Sequence, residues 1–437
     1  MASTGDGYGY HTLGVKPIIN VMGAVTVLGG GTYSPRVTEA VDQANHSYAV
    51  VNELMDRAGE MIAEILGSEA AGISSGAHGA LVMSIGAAMC GTDPEKISRI
   101  PDTTGMKNEV LTQKAAYWRD FRRAVTQTGA KLIEVGGETR CTPEELEAAI
   151  GPKTAAIVWY HGSRQDLPSD AIVPLEEVVR IGRRHSVPVI VDAAGHFFPL
   201  SRMRWYAQAA DLVCFGSKYI GGPNSAGYVC GKKDLIDAAN LQGSMGWSEM
   251  QRQKGKPLAE LQQQGFHGGI GRHAKLDRSE IVAAVVSLQE WFEIDHDARV
   301  AESERRLKVI EDELKKVPHV ETSVTGASGV GSTGTRIYPE GMPYLLITPD
   351  AQALGKTAAD VAVELAQGDP AVWVQHMPGR RPDDILVVAE WGLLMEEEEY
   401  IVARRLREVF TGNSRPSPDV FVHHPSFVGW KAARTKG

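Results

Sequence analysis

Cysteine is scarce in this chain. Its 437 residues carry four, Cys90, Cys141, Cys214 and Cys230, and no two are close in sequence. That spacing excludes a zinc-finger pattern and argues against a disulfide framework in a chain this long. A reduced, cytoplasmic setting is the expectation. Long apolar runs are missing too. No stretch approaches the roughly 18 residues that mark a membrane span. The opening MASTGDGYGYHTLG has neither the basic nor the apolar segment of a secretion signal. An excess of positive charge is also absent, since the formal net charge is -9 at pH 7. Proteins that hold nucleic acid by charge usually show a basic face, so neither nucleic acid nor membrane is an expected partner. Internal repeats and low-complexity tracts are lacking. What is present is the balance of a globular protein, 43% hydrophobic and 23% charged. The length suffices for two or three domains with a sizeable core.

Strand and helix signals alternate along the middle of the chain. Ser34-Pro35 is a helix start, and irregular apolar spacing from Val37 to Leu66 predicts one long or broken helix. AAGISSGAHGALVMSIGAAMCG, Ala70 to Gly91, reads as a short strand, a glycine turn and an apolar helix. Further strands are expected at KLIEVGG, TAAIVWYH, VPVIVDAAG, DLVCFG and AGYVCG. Helices are expected at CTPEELEAAIG, which has a capping box from Thr142 to Glu145, and at PLEEVVRIGRRH. Nearly continuous apolar strands between helices predict a mostly parallel sheet covered on both faces. The reading is an α/β large domain over residues 56–290, preceded by an arm and helix (1–55) and followed by a smaller α+β domain (291–437). The latter would hold strands at VETSVTG, TRIYPE, PYLLITP, AVWVQHM and DDILVVAEW. EEEE, 396–399, would be the first turn of a last helix, at the positive end of its dipole.

Three places could carry chemistry. SSGAHGA, Ser74 to Ala80, stands where a strand meets a helix. Free amides and the helix dipole suit such a turn to a phosphate, although a tight turn with no ligand is as ready a reading. Asp192 ends the apolar strand VIVD, where a carboxylate is either a turn former or faces the crevice in which α/β proteins bind ligands. His196 follows it and reads as a loop residue. Lys218 lies in FGSKYIGGPNSAG just after another apolar strand. Alone it is a solvated charge, a phosphate ligand or a nucleophile. Together the three meet the needs of pyridoxal 5'-phosphate. Its phosphate sits on a helix start, its pyridine nitrogen needs a carboxylate, and its aldehyde needs a lysine.

The lysine segment FGSKYIGGPNSAGYVCGKKDLI resembles that of the selenocysteine-synthase-like branch of fold-type I pyridoxal-phosphate enzymes. LGVKPIINVMGAVTVLGGGTYSPRV, SSGAHGA, GTDPEKISRIPDTTGMKNEV, GAKLIEVGG, VPVIVDAAG and GIGRHAKLDRSEIV resemble the same family in the same order. Within it the likeness is greatest to ammonia-lyases acting on phosphorylated glucosaminate. The resemblance implies an aspartate-aminotransferase-like large domain with pyridoxal 5'-phosphate as cofactor. It implies Lys218 as the Schiff-base lysine and acid/base, and Asp192 on the pyridine nitrogen. Ser75, Gly76, Ala77 and His78 would hold the phosphate, with a hydroxyl added by Ser217. Arg272 would take the substrate carboxylate, and Asn20 would reach the site from the arm or form a turn. A homodimer or larger homo-oligomer is implied as well. KAAYWRDFRR, Lys114 to Arg123, departs from the family pattern, and Tyr117 or Trp118 would stack on the cofactor ring in place of a histidine.

The reaction expected first is α,β-elimination from a hydroxylated amino acid, giving a keto acid and ammonia. Racemisation or epimerisation, aldol cleavage and selenium- or sulfur-type transfer are the alternatives on the same cofactor. A cofactor-binding regulator is the reading from outside enzymology. It would be favoured by a fused DNA-binding domain or a lost lysine, and neither is seen. A P-loop nucleotide site is disfavoured, because neither glycine turn ends in Gly-Lys-Ser/Thr.

Overall fold

A computed structural model describes residues 9–116, 122–160, 168–243, 268–325, 342–377, 385–389 and 397–412. In chain order the elements begin with β1 (Ile19–Asn20), α1 (Pro35–Asn45), α2 (Val51–Leu66), β2 (Ala70–Ser74), α3 (Gly76–Cys90) and α4 (Pro94–Arg99). There follow β3 (Glu109–Gln113), α5 (Arg122–Thr126), β4 (Lys131–Val135), α6 (Pro143–Ala148), β5 (Thr154–Tyr160) and α7 (Leu175–Arg184). Next come β6 (Val189–Asp192), α8 (Leu200–Ala209), β7 (Leu212–Gly216), β8 (Gly227–Gly231), α9 (Lys233–Gln242) and α10 (Arg278–Glu293). The rest is α11 (His296–Leu314), β9 (Val320–Thr325), β10 (Tyr344–Pro349), α12 (Ala351–Leu354), α13 (Ala358–Ala366), β11 (Val372–Trp373), β12 (Gln375–Met377), β13 (Ile385–Val388) and α14 (Glu398–Thr411).

The chain forms two units. The larger is centred on Gly29–Ile294, and the smaller joins segments up to Leu28 with segments from Asp295 onward. The arm and first helices are thus divided between the units. β1 pairs in parallel with β11 of the smaller unit, Ile19 opposite Val372, while α1 and α2 belong to the larger. A two-residue strand carries too little pattern to reveal its partner in the sequence.

The larger unit holds a seven-stranded sheet in the order β2-β8-β7-β6-β5-β3-β4. All neighbours are parallel except β8, which runs against both β2 and β7. Every residue of β5, β6, β7 and β8 is buried, as expected of strands covered on both faces. Two helices show how the sequence makes this cover. α7 buries Leu175, Val178, Val179 and Ile181, an apolar stripe at helical spacing. α3 is apolar all round, and Ala80 to Ala87 are buried without a break. Each fully buried Leu, Ile or Val contributes about 1.5–3 kcal/mol.

Helix starts follow the expected caps. Ser34 caps α1 by accepting from the Val37 amide, with Pro35 in the first turn. The predicted helix over 37–66 is two helices, α1 and α2. Thr142 and Glu145 form the capping box of α6.

The smaller unit carries an antiparallel sheet in the order β12-β13-β10-β9, with a core that includes Leu307, Leu345, Val361, Leu386 and Leu406. VETSVTG, PYLLITP, AVWVQHM and DDILVVAEW supply its strands. TRIYPE and the tail beyond Gly412 lie outside the described residues. The last helix starts at Glu398, and Glu398 and Glu399 stand in its first turn. All four cysteines are buried and free. Among the described residues no helix is long and apolar enough to cross a membrane.

Candidate active site

Strand register brings the three candidate segments to one edge of the large sheet. Ser74, the last residue of β2, lies opposite Gly227, the first of β8. Gly227 in turn lies opposite Gly216, the last of β7. One strand further on, Asp192 at the end of β6 is paired with Cys214 of β7. The turn before α3, the lysine turn and the aspartate therefore stand on four adjacent strands at one edge. This is the edge at which α/β folds hold ligands.

Ser75 is the N-cap residue of α3, but its side chain makes no capping hydrogen bond. The first amides of a helix have no partner within the helix. Those of Gly76, Ala77 and His78 are therefore open to an anion at the positive end of the helix dipole. The turn is seated by Gly227. A Cβ at Gly227 would lie 2.5 Å from the Gly76 carbonyl carbon, 2.6 Å from the Phe215 oxygen and 2.7 Å from the Ala77 nitrogen. Only glycine lets β8 support the turn this closely. Ser75, Gly76, Ala77 and His78 are all half-buried, as ligand-facing residues can be.

Asp192 is 3% exposed, and its Oδ1 accepts from the Ala194 amide at 3.1 Å. A carboxylate this deep stays charged only with partners. The Cys214 thiol beside it is fully buried, and that burial, with the Asp192 charge, pushes its pKa well up. Neutral Cys214 is thus a packing residue, not a nucleophile.

Lys218 is the second residue of a 3-10 turn, Ser217–Ile220, directly after β7. It is half-buried, and its Nζ lies 4.9 Å from the centre of the Tyr219 ring. Tyr219 stacks on Phe197, with centroids 5.6 Å apart and planes 12° from parallel. Phe197 meets Trp291 edge-on, and Trp291 Nε1 donates to the Phe197 carbonyl at 2.8 Å. An aromatic pillar thus backs the lysine. From the other side comes Gly30, at φ 91°, bridged to Pro223. A Cβ there would stand 3.0 Å from Lys218 Cβ and 3.1 Å from Asn224 Cβ. Gly30 and Gly227 do not stand out in the sequence. Glycines that admit close approach look like any others until the approaching backbone is known.

Two expected ligands turn inward. The Ser217 hydroxyl is fully buried and lies 2.7 Å from the Pro223 carbonyl and 2.9 Å from that of Ala226. It closes the lysine loop and does not reach out to a phosphate. Asn20 is used up by its own turn. Its Oδ1 accepts from the Met22 amide at 2.8 Å and its Nδ2 donates to the Gly23 carbonyl at 3.0 Å. Both ends of that amide are engaged within the turn. His196 packs edge-on to Tyr206, as a loop residue. Arg272 is exposed on the 3-10 turn Ile270–His273, whose Gly269 and Gly271 abut the Gln242 backbone at the end of α9. Tyr117 and Trp118 lie outside the described residues.

The donor set fits pyridoxal phosphate. Open amides suit the phosphate, a buried carboxylate suits a protonated ring nitrogen, and an amine at the next strand end suits the aldehyde.

Comparisons with known proteins agree. The L-seryl-tRNA selenium transferase family profile matches residues 120–243. A Streptomyces protein, 5'-C-glycyluridine monooxygenase-decarboxylase, is 30% identical over 405 residues, covering 92% of this chain and 91% of that one. D-glucosaminate-6-phosphate ammonia lyase of Salmonella typhimurium is 25% identical over 408 residues, 92% and 97% of the two chains. A solved structure of a D-glucosaminate-6-phosphate ammonia-lyase superposes with a TM-score of 0.73 at 23% identity, over 93% of this chain and 99% of that one. The fold, the ordered motifs and these relatives give one answer: the chain belongs to the selenocysteine-synthase-like family of fold-type I pyridoxal-phosphate enzymes.

Proposed function

We propose that this enzyme is a lyase that eliminates water and then ammonia from an α-amino acid bearing a β-hydroxyl, leaving a keto acid. The observation that carries this is the register that sets Lys218, Asp192 and the α3 amides on one sheet edge. Pyridoxal phosphate, bound here, supplies an electron sink that weakens the bonds to the substrate's α carbon. The protein supplies the rest. The amides of Gly76, Ala77 and His78 hold the phosphate, with Ser75 at their entrance. The Asp192 carboxylate keeps a proton at the ring nitrogen. Lys218 Nζ holds the aldehyde, and once free it takes the α proton and returns a proton to the departing hydroxyl. Arg272 is assigned to the substrate carboxylate, which a guanidinium binds bidentately. Glucosaminate, named for the Salmonella relative, is an amino acid of this hydroxylated kind. A homodimer or larger assembly in the cytoplasm is the proposed working form, in keeping with the family resemblance and the free cysteines.

A second reading has its own support. The Streptomyces relative is described as a monooxygenase-decarboxylase, which supports oxidative loss of the carboxylate as the second reading for this site.

The test is a panel of D- and L-serine, threonine, sugar-derived amino acids and simple amino acids, added to cofactor-loaded enzyme. The expected result is a change in visible absorption with keto acid and ammonia released from hydroxylated members alone. Carbon dioxide release with oxygen uptake would replace the elimination by the second reading. Racemisation without either would overturn both.

A further inference from the structure

At the opposite edge of the same sheet the structure holds a cluster of lysines. IPDTTGMKNEV folds into a loop that leads into β3 and walls a cavity of about 630 Å³. Lys107, Lys131 and Lys153 line it. All three are grouped about Asn108. Lys107 precedes it in the chain, the Lys131 amide donates to its carbonyl at 2.7 Å, and its own amide donates to the Lys153 carbonyl at 3.0 Å. The loop is tied down beneath them. Asn108 Nδ2 donates to the Thr103 hydroxyl at 2.8 Å, and that hydroxyl donates to the Gly129 carbonyl at 3.3 Å.

Three like charges lining one cavity repel one another. Among the described residues none of the three has an ion-pair partner, whereas Lys96, Lys114, Lys232, Lys233, Lys308 and Lys356 each hold a carboxylate. One acid, Asp102, lines the same cavity, and it is engaged by its own loop. The Asp102 carboxylate accepts from the Thr104 amide and hydroxyl and faces Arg99 at 3.8 Å. Glu109 is the strand neighbour of Lys131 without coming within ion-pair distance of it. In a chain of net charge -9, a cavity lined by three lysines against one carboxylate is net cationic and suits an anion.

We propose that this cavity binds a phosphate group, free or as the ester of a small molecule, as a site separate from the catalytic one. Lys153 directly precedes β5, whose last residue, Tyr160, is paired with Asp192. Seven residues of strand span about 23 Å, so the cofactor's own phosphate does not reach this cavity. The three ammonium groups give charge-assisted bonds to phosphoryl oxygens.

The experiment is calorimetric titration of the cofactor-loaded enzyme at low salt, with inorganic pyrophosphate and with glucose 6-phosphate as probes. Cofactor loading fills the turn before α3, so it does not compete. The expected result is saturable binding of one probe per chain. Binding weakens about tenfold or more in the variant Lys107→Ala/Lys131→Ala/Lys153→Ala, while the visible cofactor band is unchanged. The single reversal Lys107→Glu, on an exposed loop residue, should weaken it in the same direction if the triple variant proves unstable. Binding of both probes supports recognition of the phosphate alone, and binding of the sugar phosphate only supports an ester. Absence of saturable binding, or unchanged affinity in the variants, would overturn the site. An amino-acid panel without turnover would leave this proposal intact, since nothing in it rests on the reaction.

Discussion

Lys218→Ala protein is expected to lose the visible absorption of the lysine-bound cofactor and to lose turnover by about 10²–10⁴-fold or more, the range for removal of a catalytic acid/base. Two roles fall on this one amine, so their losses do not separate. The protein should still fold. Lys218 is half-buried on a 3-10 turn closed by other groups, namely the Ser217 hydroxyl and the Gly222 amide, which donates to the Ser217 carbonyl at 3.0 Å. Thermal unfolding of the variant without cofactor should therefore match wild type without cofactor. Added primary amine should restore a small part of the activity, because proton transfer is replaceable when the geometry remains. A variant with full turnover would remove Lys218 from the mechanism.

The second large effect is expected at a residue with no side chain. Gly227→Ala puts a methyl group among backbone atoms 2.5–2.7 Å away, and backbone cannot step aside as a flexible side chain can. Overpacking of a tight interior costs about 1–3 kcal/mol, and the atoms that must move include the Gly76 carbonyl carbon and the Ala77 nitrogen. Those atoms belong to the proposed phosphate turn. The variant should bind pyridoxal phosphate about tenfold or more weakly while the aldehyde still reacts with Lys218 at high cofactor concentration. Titration of cofactor into the cofactor-free protein, followed by absorption, reads this directly. Unchanged affinity would mean that the phosphate is held elsewhere.

The contrast between these two residues shows what a sequence reveals here. Lys218 stands out in the sequence because a single lysine after a buried strand, in order with Asp192 and SSGAHGA, suits a specific cofactor, and strand register sets the three at one sheet edge. The apolar runs of β5, β6 and β7 were legible because strands covered on both faces have no polar side to show. AGYVCG was read as a strand correctly, but its direction was not readable. β8 runs antiparallel between β2 and β7, and an apolar run looks the same either way round. β3, in KNEVLTQ, passed unread as a strand because its short apolar core lies between polar residues. Ser217 and Asn20 show a different limit. Residue type gives a hydroxyl or an amide its capacity to bond, but only the folded turn decides what it bonds to. Ser217 finds the carbonyls of its own loop, and Asn20 finds Met22 and Gly23. A strand of two residues at Ile19–Asn20 finds its partner at Val372–Trp373, and no local pattern announces a pairing that remote.

Lys218 is the proposed carrier of the cofactor. Its most direct test is borohydride reduction of the cofactor-loaded enzyme, followed by proteolysis and mass-spectrometric mapping of the reduced cofactor adduct. The account predicts the adduct on the peptide containing Lys218 and on no other lysine. An adduct on a different lysine, with Lys218 unmodified, would contradict it.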